Sequence, residues 1–71
     1  MITNVNKLKG KMVEKGYNQD KLAISAKINK STLSRKLKTG NFLIGEVIEI
    51  AKVLELTPEE VMNIFFCEYV A

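Results

Sequence analysis

The chain has no histidine and no tryptophan, one cysteine, one proline, and no long apolar run in its 71 residues. Each absence removes a class of function. Cys67 alone cannot form an internal disulfide, and without histidine the sequence lacks the His/Cys/carboxylate sets that grip zinc, so no metal and no cofactor is expected. No stretch of about 18 apolar residues is present to span a bilayer. The amino end also lacks the basic-then-apolar order of a signal peptide, which makes the cytoplasm the expected location. Catalysis has no support: there is no phosphate-cradling glycine loop and no nucleophile with a nearby base. A non-enzymatic binding module, with neither a small-molecule substrate nor a membrane partner, is what remains.

What is present is a hydrophobic content of 46%, enough for a modest core in a single domain spanning 1–71. A domain this short buries only about 60% of the surface its unfolded chain exposes, and often draws stability from a disulfide, a metal or a second copy of itself. With the first two excluded, self-association stays open. The charge is unevenly placed. Up to Asn41 ten basic residues stand against Glu14 and Asp20; beyond it Lys52 stands alone against six glutamates. Such polarity points to one face for a polyanion and another kept away from it, although scattered lysines by themselves also read as a solvated surface.

Apolar residues recur at steps of three and four throughout, which predicts an all-α fold. A first helix is expected from about Asn4 to Lys15 with Val5, Leu8 and Met12 inward, ended by Gly16 in the left-handed conformation. Asn18 caps a second, Gln19 to Ala26, with Tyr17 stapled onto Leu22 and with Leu22, Ala23 and Ala26 buried. After the corner Lys27-Ile28-Asn29, a third helix runs from Lys30 to about Lys38 on Leu33 and Leu37, and leaves through Thr39-Gly40-Asn41. The fourth, Ile44 to about Glu55, carries a stripe of Ile44, Val47, Ile48, Ala51 and Leu54 beside Ile50 and Val53, and is expected to be the most buried. Thr57-Pro58-Glu59-Glu60 reads as a capping box opening a fifth helix, Pro58 to Phe66, with Val61, Ile64 and Phe65 inward.

Two short helices joined by a three-residue corner make a helix-turn-helix. With Leu33 and Leu37 inward, Ser31, Arg35 and Lys38 project outward, Thr32 and Ser34 flank them, and Lys30 leads the helix. From Lys27 to Lys38 there is no acid, whereas an exposed helix without a polyanion partner usually mixes acids and bases at i and i+4. Arg35 has the planar fork that bonds guanine O6 and N7 together, with a phosphate or salt-bridge role as its alternative; Ser31 and Thr32 suit a base edge or a phosphate oxygen. Lys36, Lys38 and Asn41 suit backbone phosphates, which position a protein without naming a sequence. Lys7, Lys9 and Lys11 read as a solvated face.

The sequence resembles the lambda-repressor-like, Cro-type (XRE-type) helix-turn-helix regulators of phages and bacteria over roughly Leu8 to Phe66. Its carriers are Asn18-Gln19-Asp20-Lys21-Leu22-Ala23, Ile28 through Leu37, and Ile50 through Val61. The short length and Ser34-Arg35-Lys36-Leu37-Lys38 look most like small phage Cro-like repressors. The resemblance implies a compact five-helix domain with the helix-turn-helix in helices two and three. It also implies that Lys30, Ser31 and Arg35 match base-reading positions and Gln19 a phosphate-facing one. Where the family usually has glycine in the corner this chain has Lys27, so a left-handed non-glycine residue is expected there, at about 1 kcal/mol.

At the carboxyl end Met62, Phe66 and Tyr69 form a second apolar stripe which, with Val70, has no core left to cover. Residues 65–71 are therefore read as a homodimerisation tail, against the alternative of an end folded back on its own chain. Helix and short strand both stay open for it, and Cys67 is most simply a small buried hydrophobe. The expected function is a sequence-specific double-stranded DNA-binding repressor acting by operator occlusion in a bacterial cell or phage-infected host. The alternative is a protein-interaction module, antirepressor or antitoxin-like, working through the apolar end.

Overall fold

In the computed structural model, which describes residues 3–66, five helices follow in order: α1 Val5–Glu14, α2 Gln19–Ala26, α3 Lys30–Thr39, α4 Ile44–Val53 and α5 Pro58–Phe65. No strand is present among the described residues. The fold class is all-α, as the apolar spacing predicts.

Side chains set most of the helix starts. Asn4, Asn18 and Asn29 each place Oδ1 on free first-turn N–H groups, of Lys7 (3.1 Å), Lys21 (2.8 Å) and Ser31 (2.9 Å) respectively. Before α5 the box is reciprocal: Glu60 N–H donates to Thr57 Oγ1 at 3.1 Å, and Thr57 N–H to Glu60 Oε1 at 2.9 Å. Leu43 precedes α4 and has no acceptor in its side chain; there Glu46 Oε1 takes the Leu43 N–H at 2.8 Å.

Three of the helices stop in the same way. Gly16, Lys27 and Glu55 adopt positive φ of 78°, 59° and 53°. The N–H of the next residue then bonds five residues back, Tyr17 to Met12, Ile28 to Ala23 and Leu56 to Ala51, at 2.7–2.9 Å. Tyr17, Ile28 and Leu56 are each half-buried against the core, so every stop also seats an apolar side chain. Lys27 occupies the left-handed conformation expected of it. Glu55 was expected inside α4, but the helix closes at Val53.

The core unites Leu8 and Met12 of α1, Leu22, Ala23 and Ala26 of α2, Leu33 and Leu37 of α3, Val47 and Ile50 of α4, and Ile64 and Phe65 of α5, with Leu54 and Phe42 from the connections. Burying a side chain such as Leu8 or Phe65 contributes about 1.5–3 kcal/mol. Phe42 meets Phe65 edge to face, centroids 5.9 Å apart. Phe65 is thus committed to the core and is not part of a tail.

The face of α4 differs from expectation. Val47, Ile50 and Leu54 turn inward, while Ile44 and Ile48 are 59% and 47% exposed. Nor is α4 the most buried helix, since α2 buries three of its eight residues and α4 two of ten. A helix apolar nearly all round offers periodicity two faces to choose from, and only its packing against α2 and α5 decides between them.

Two backbone bonds fasten the amino segment: Thr3 N–H to the Gly40 carbonyl at 3.1 Å, and Asn4 N–H to the Ile64 carbonyl at 2.7 Å. No helix among the described residues is long and apolar enough to cross a membrane.

Candidate functional site

Leu33 and Leu37, both buried, fix which way α3 faces. The opposite side is a shallow depression of about 530 Å³ lined by Lys30, Ser31, Ser34, Arg35 and Lys38. Lys30, Ser31, Arg35 and Lys38 are exposed and Ser34 half-buried. Five of the expected site residues therefore share one surface, rich in ammonium, guanidinium and hydroxyl donors, and no carboxylate lines it. A surface of that kind suits an anionic ligand with acceptors presented along a groove. Thr32 lies off the depression, half-buried, with its N–H turned to Asn29 Oδ1 at 3.4 Å.

The expected phosphate-facing residues divide. Lys38 lines the depression; Gln19, the first residue of α2, and Asn41, just past α3, are both exposed at the ends of their elements. Lys36 lies apart: its Nζ donates to Glu46 Oε1 of α4 at 2.5 Å, and the two side chains are only 15% and 18% exposed. Burial works to raise the Glu46 carboxyl pKa, but the hydrogen bonds from Lys36 and from Leu43 N–H outweigh it, and the net shift is downward.

Acid-free within itself, α3 still meets acids from its neighbours. Asp20 of α2 reaches Lys30 at 3.0 Å, an exposed pair that water screens. Nothing in the local sequence marked either Asp20 or Glu46 as a partner of α3; the one available signal was Glu46 at the third position of a helix that starts without a capping side chain.

On α1, Lys7 and Lys9 are exposed as expected of a solvated face. Lys11 is not, since its ammonium pairs with Glu60 of α5 and, at 3.1 Å, with Glu14. The bonds to Glu60 and then Glu14 raise the Lys11 pKa, and the same contact with Lys11, aided by Thr57 N–H, pulls the Glu60 carboxyl down to about 2.

A second surface lies between α4 and α5: a hollow of about 410 Å³ whose walls include Ile44, Ile48, Ala51, Val61 and Phe66, with Lys52 and Glu55 at its edge. Met62, 43% exposed, lies on α5. Met62 and Phe66 are the expected interface residues that the structure describes; Tyr69, Val70 and Cys67 lie outside the described residues. The outward turn of Ile44 and Ile48 supplies apolar surface that the sequence pattern had assigned to the core.

Compared with known proteins, residues 1–68 match the family model described as "Protein of unknown function (DUF739)". No curated protein and no solved structure matches the chain.

Proposed function

The chain belongs to the DUF739 family, whose description gives no function, and on the geometry of α3 we propose that it is a sequence-specific double-stranded DNA-binding regulator of transcription, a Cro-like repressor acting in the cytoplasm by covering its operator. The observation that carries this reading is the outer face of α3, where Lys30, Ser31, Ser34, Arg35 and Lys38 line one depression with no carboxylate among them. A helix of about 10–12 Å diameter with its side chains fits the B-form major groove, about 12 Å wide. In that pose Arg35 bonds guanine O6 and N7 as a fork. Lys30, Ser31 and Ser34 face base edges, with Thr32 on the flank, and Lys38, Gln19 and Asn41 face phosphates.

Operators are read by pairs of such helices set about 34 Å apart, so the reading includes a homodimer, with the apolar α4–α5 surface as its seam. That same surface is the one observation favouring a protein-interaction module instead.

Affinity for duplex DNA measured across a salt series separates the two. A repressor loses affinity steeply, with a log–log slope near −0.9 per phosphate neutralised; an interaction module shows no such dependence. Arg35→Ala is expected to flatten preference among operator variants by about 1–3 kcal/mol, and Lys38→Ala to weaken every sequence alike. An equal loss on all sequences for R35A refutes its reading role.

A further inference from the structure

The pair Lys36–Glu46 differs from the exposed ion pairs around it. Its side chains are 15% and 18% exposed, against 69% and 60% for Lys30 and Asp20. A single oxygen, Glu46 Oε1, accepts both the Lys36 ammonium at 2.5 Å and the Leu43 backbone N–H at 2.8 Å. The first bond grips α3 near its carboxyl end and the second forms the start of α4, so one carboxylate ties the two helices together across the connection through Gly40 and Phe42.

The tie answers a mechanical need. Within the core α3 is represented by Leu33 and Leu37, one turn apart on a single stripe. Such a stripe resists withdrawal of the helix but offers little resistance to its rolling about that line. Lys36 follows Leu33 by three residues, which at 100° per residue places it on one flank of the stripe, where a fixed partner blocks the roll. A roll of a few degrees would move the tip of Arg35 relative to anything it bonds, and recognition of a base edge tolerates displacements of only about 0.5 Å.

We infer that Glu46 is a positioning residue which, through Lys36, sets the angle at which α3 presents Lys30, Ser31, Ser34, Arg35 and Lys38. This rests on the DNA-binding reading above, and it assigns Lys36 to the inside of the protein and not to a phosphate.

The test uses the full chain and three single variants. Lys36→Met keeps the aliphatic stem and removes the ammonium, Glu46→Gln keeps an acceptor for Leu43 N–H and removes the charge, and Lys36→Arg keeps the pair. Binding is measured on a preferred duplex and on single-base variants of it, each over a salt series. K36M and E46Q are each expected to lower discrimination by about tenfold, the lower end of the scale of a hydrogen bond to a charged group. K36R should retain discrimination, and the double variant K36M/E46Q should be no worse than either single. The salt slope of K36M should equal that of the parent. A slope shallower by about 0.9 per protomer would show Lys36 on a phosphate and overturn the inference.

Amide chemical shifts of residues 30–38 in the free protein provide a readout without DNA. They should move together in K36M and E46Q and stay in place in K36R, and their failure to move in the first two rejects the positioning role. If the parent binds no duplex in a salt-dependent way, the DNA-binding reading falls, while the shifts still decide whether Glu46 sets α3.

Discussion

Glu60 joins two elements through one carboxylate, accepting from Thr57 at the start of its own helix and from Lys11 on α1. Its pKa, lowered from the ordinary 4.5 to about 2 chiefly by Lys11, links that contact to folding. Because the folded value lies below the unfolded one, the stabilisation is complete above pH 4.5 and fades as pH falls toward 2. Thermal melts followed by circular dichroism should therefore show the parent losing melting temperature faster than Glu60→Gln across that window. Parallel curves would remove Glu60 from the acid response. The Lys11 shift has the opposite sign, and its share is lost only as pH rises past the ordinary lysine value of 10.5. At this scale the outward residues of α3 were legible from spacing alone, since Leu33 and Leu37 leave 31, 35 and 38 one direction to face. The partners of Lys30 and Lys36 and the Glu60 partner of Lys11 were not, because an ion pair between helices leaves no local trace.

Helix starts and stops follow largely from short-range chemistry. An asparagine or threonine accepts from the first-turn N–H groups, and a left-handed glycine ends the helix, so the starts at Asn18, Asn29 and Thr57 and the stop at Gly16 could be placed before any tertiary contact was known, while the left-handed Lys27 was implied by the resemblance. Glu55 escaped notice because glutamate favours helix interiors and carries no stop signal. The inward face of α4 escaped for another reason: its apolar residues nearly encircle the axis, and the choice between them is made by neighbours distant in sequence.

The left-handed positions also differ in what surrounds them. An added Cβ at Gly16 meets open space, whereas at Gly40, φ +77°, it comes within 3.3 Å of the Thr3 carbonyl oxygen. Gly16→Ala is expected to cost about 1–2 kcal/mol from backbone strain alone, and Gly40→Ala distinctly more. Lys27→Gly, which relieves strain at the corner between α2 and α3, is expected to gain up to about 1 kcal/mol. Urea midpoints for the three variants check the order; equal losses at Gly16 and Gly40 would mean that the amino segment yields freely.

Over the whole molecule the charge polarity of the sequence becomes a division of surfaces. Three of the ten cations of the first half, Lys30, Arg35 and Lys38, line the outer face of α3, and beyond Asn41 the walls of the apolar hollow between α4 and α5 include Lys52 and Glu55. In the proposed dimer, two copies joined at that hollow would have to set their α3 helices about 34 Å apart to meet successive major grooves on one side of a duplex. Ile44→Glu or Ile48→Glu places a charge in the hollow. Either variant is expected to sediment as monomer at tens of micromolar where the parent sediments as dimer, with helical content unchanged. A parent that is monomeric with and without duplex would reject the dimer.

The bond from Asn4 to the Ile64 carbonyl has a consequence for how the chain reaches this arrangement. It closes a circuit of about 60 residues, and together with Lys11–Glu60 it is the seam through which α1 meets α5. The entropy lost in closing a loop grows only with the logarithm of its length, so the circuit is inexpensive to close once α2, α3 and α4 have shortened the path between its ends. Breaking that one bond therefore releases the amino segment from α5, while Leu8 and Phe65 still hold the two helices in the shared core.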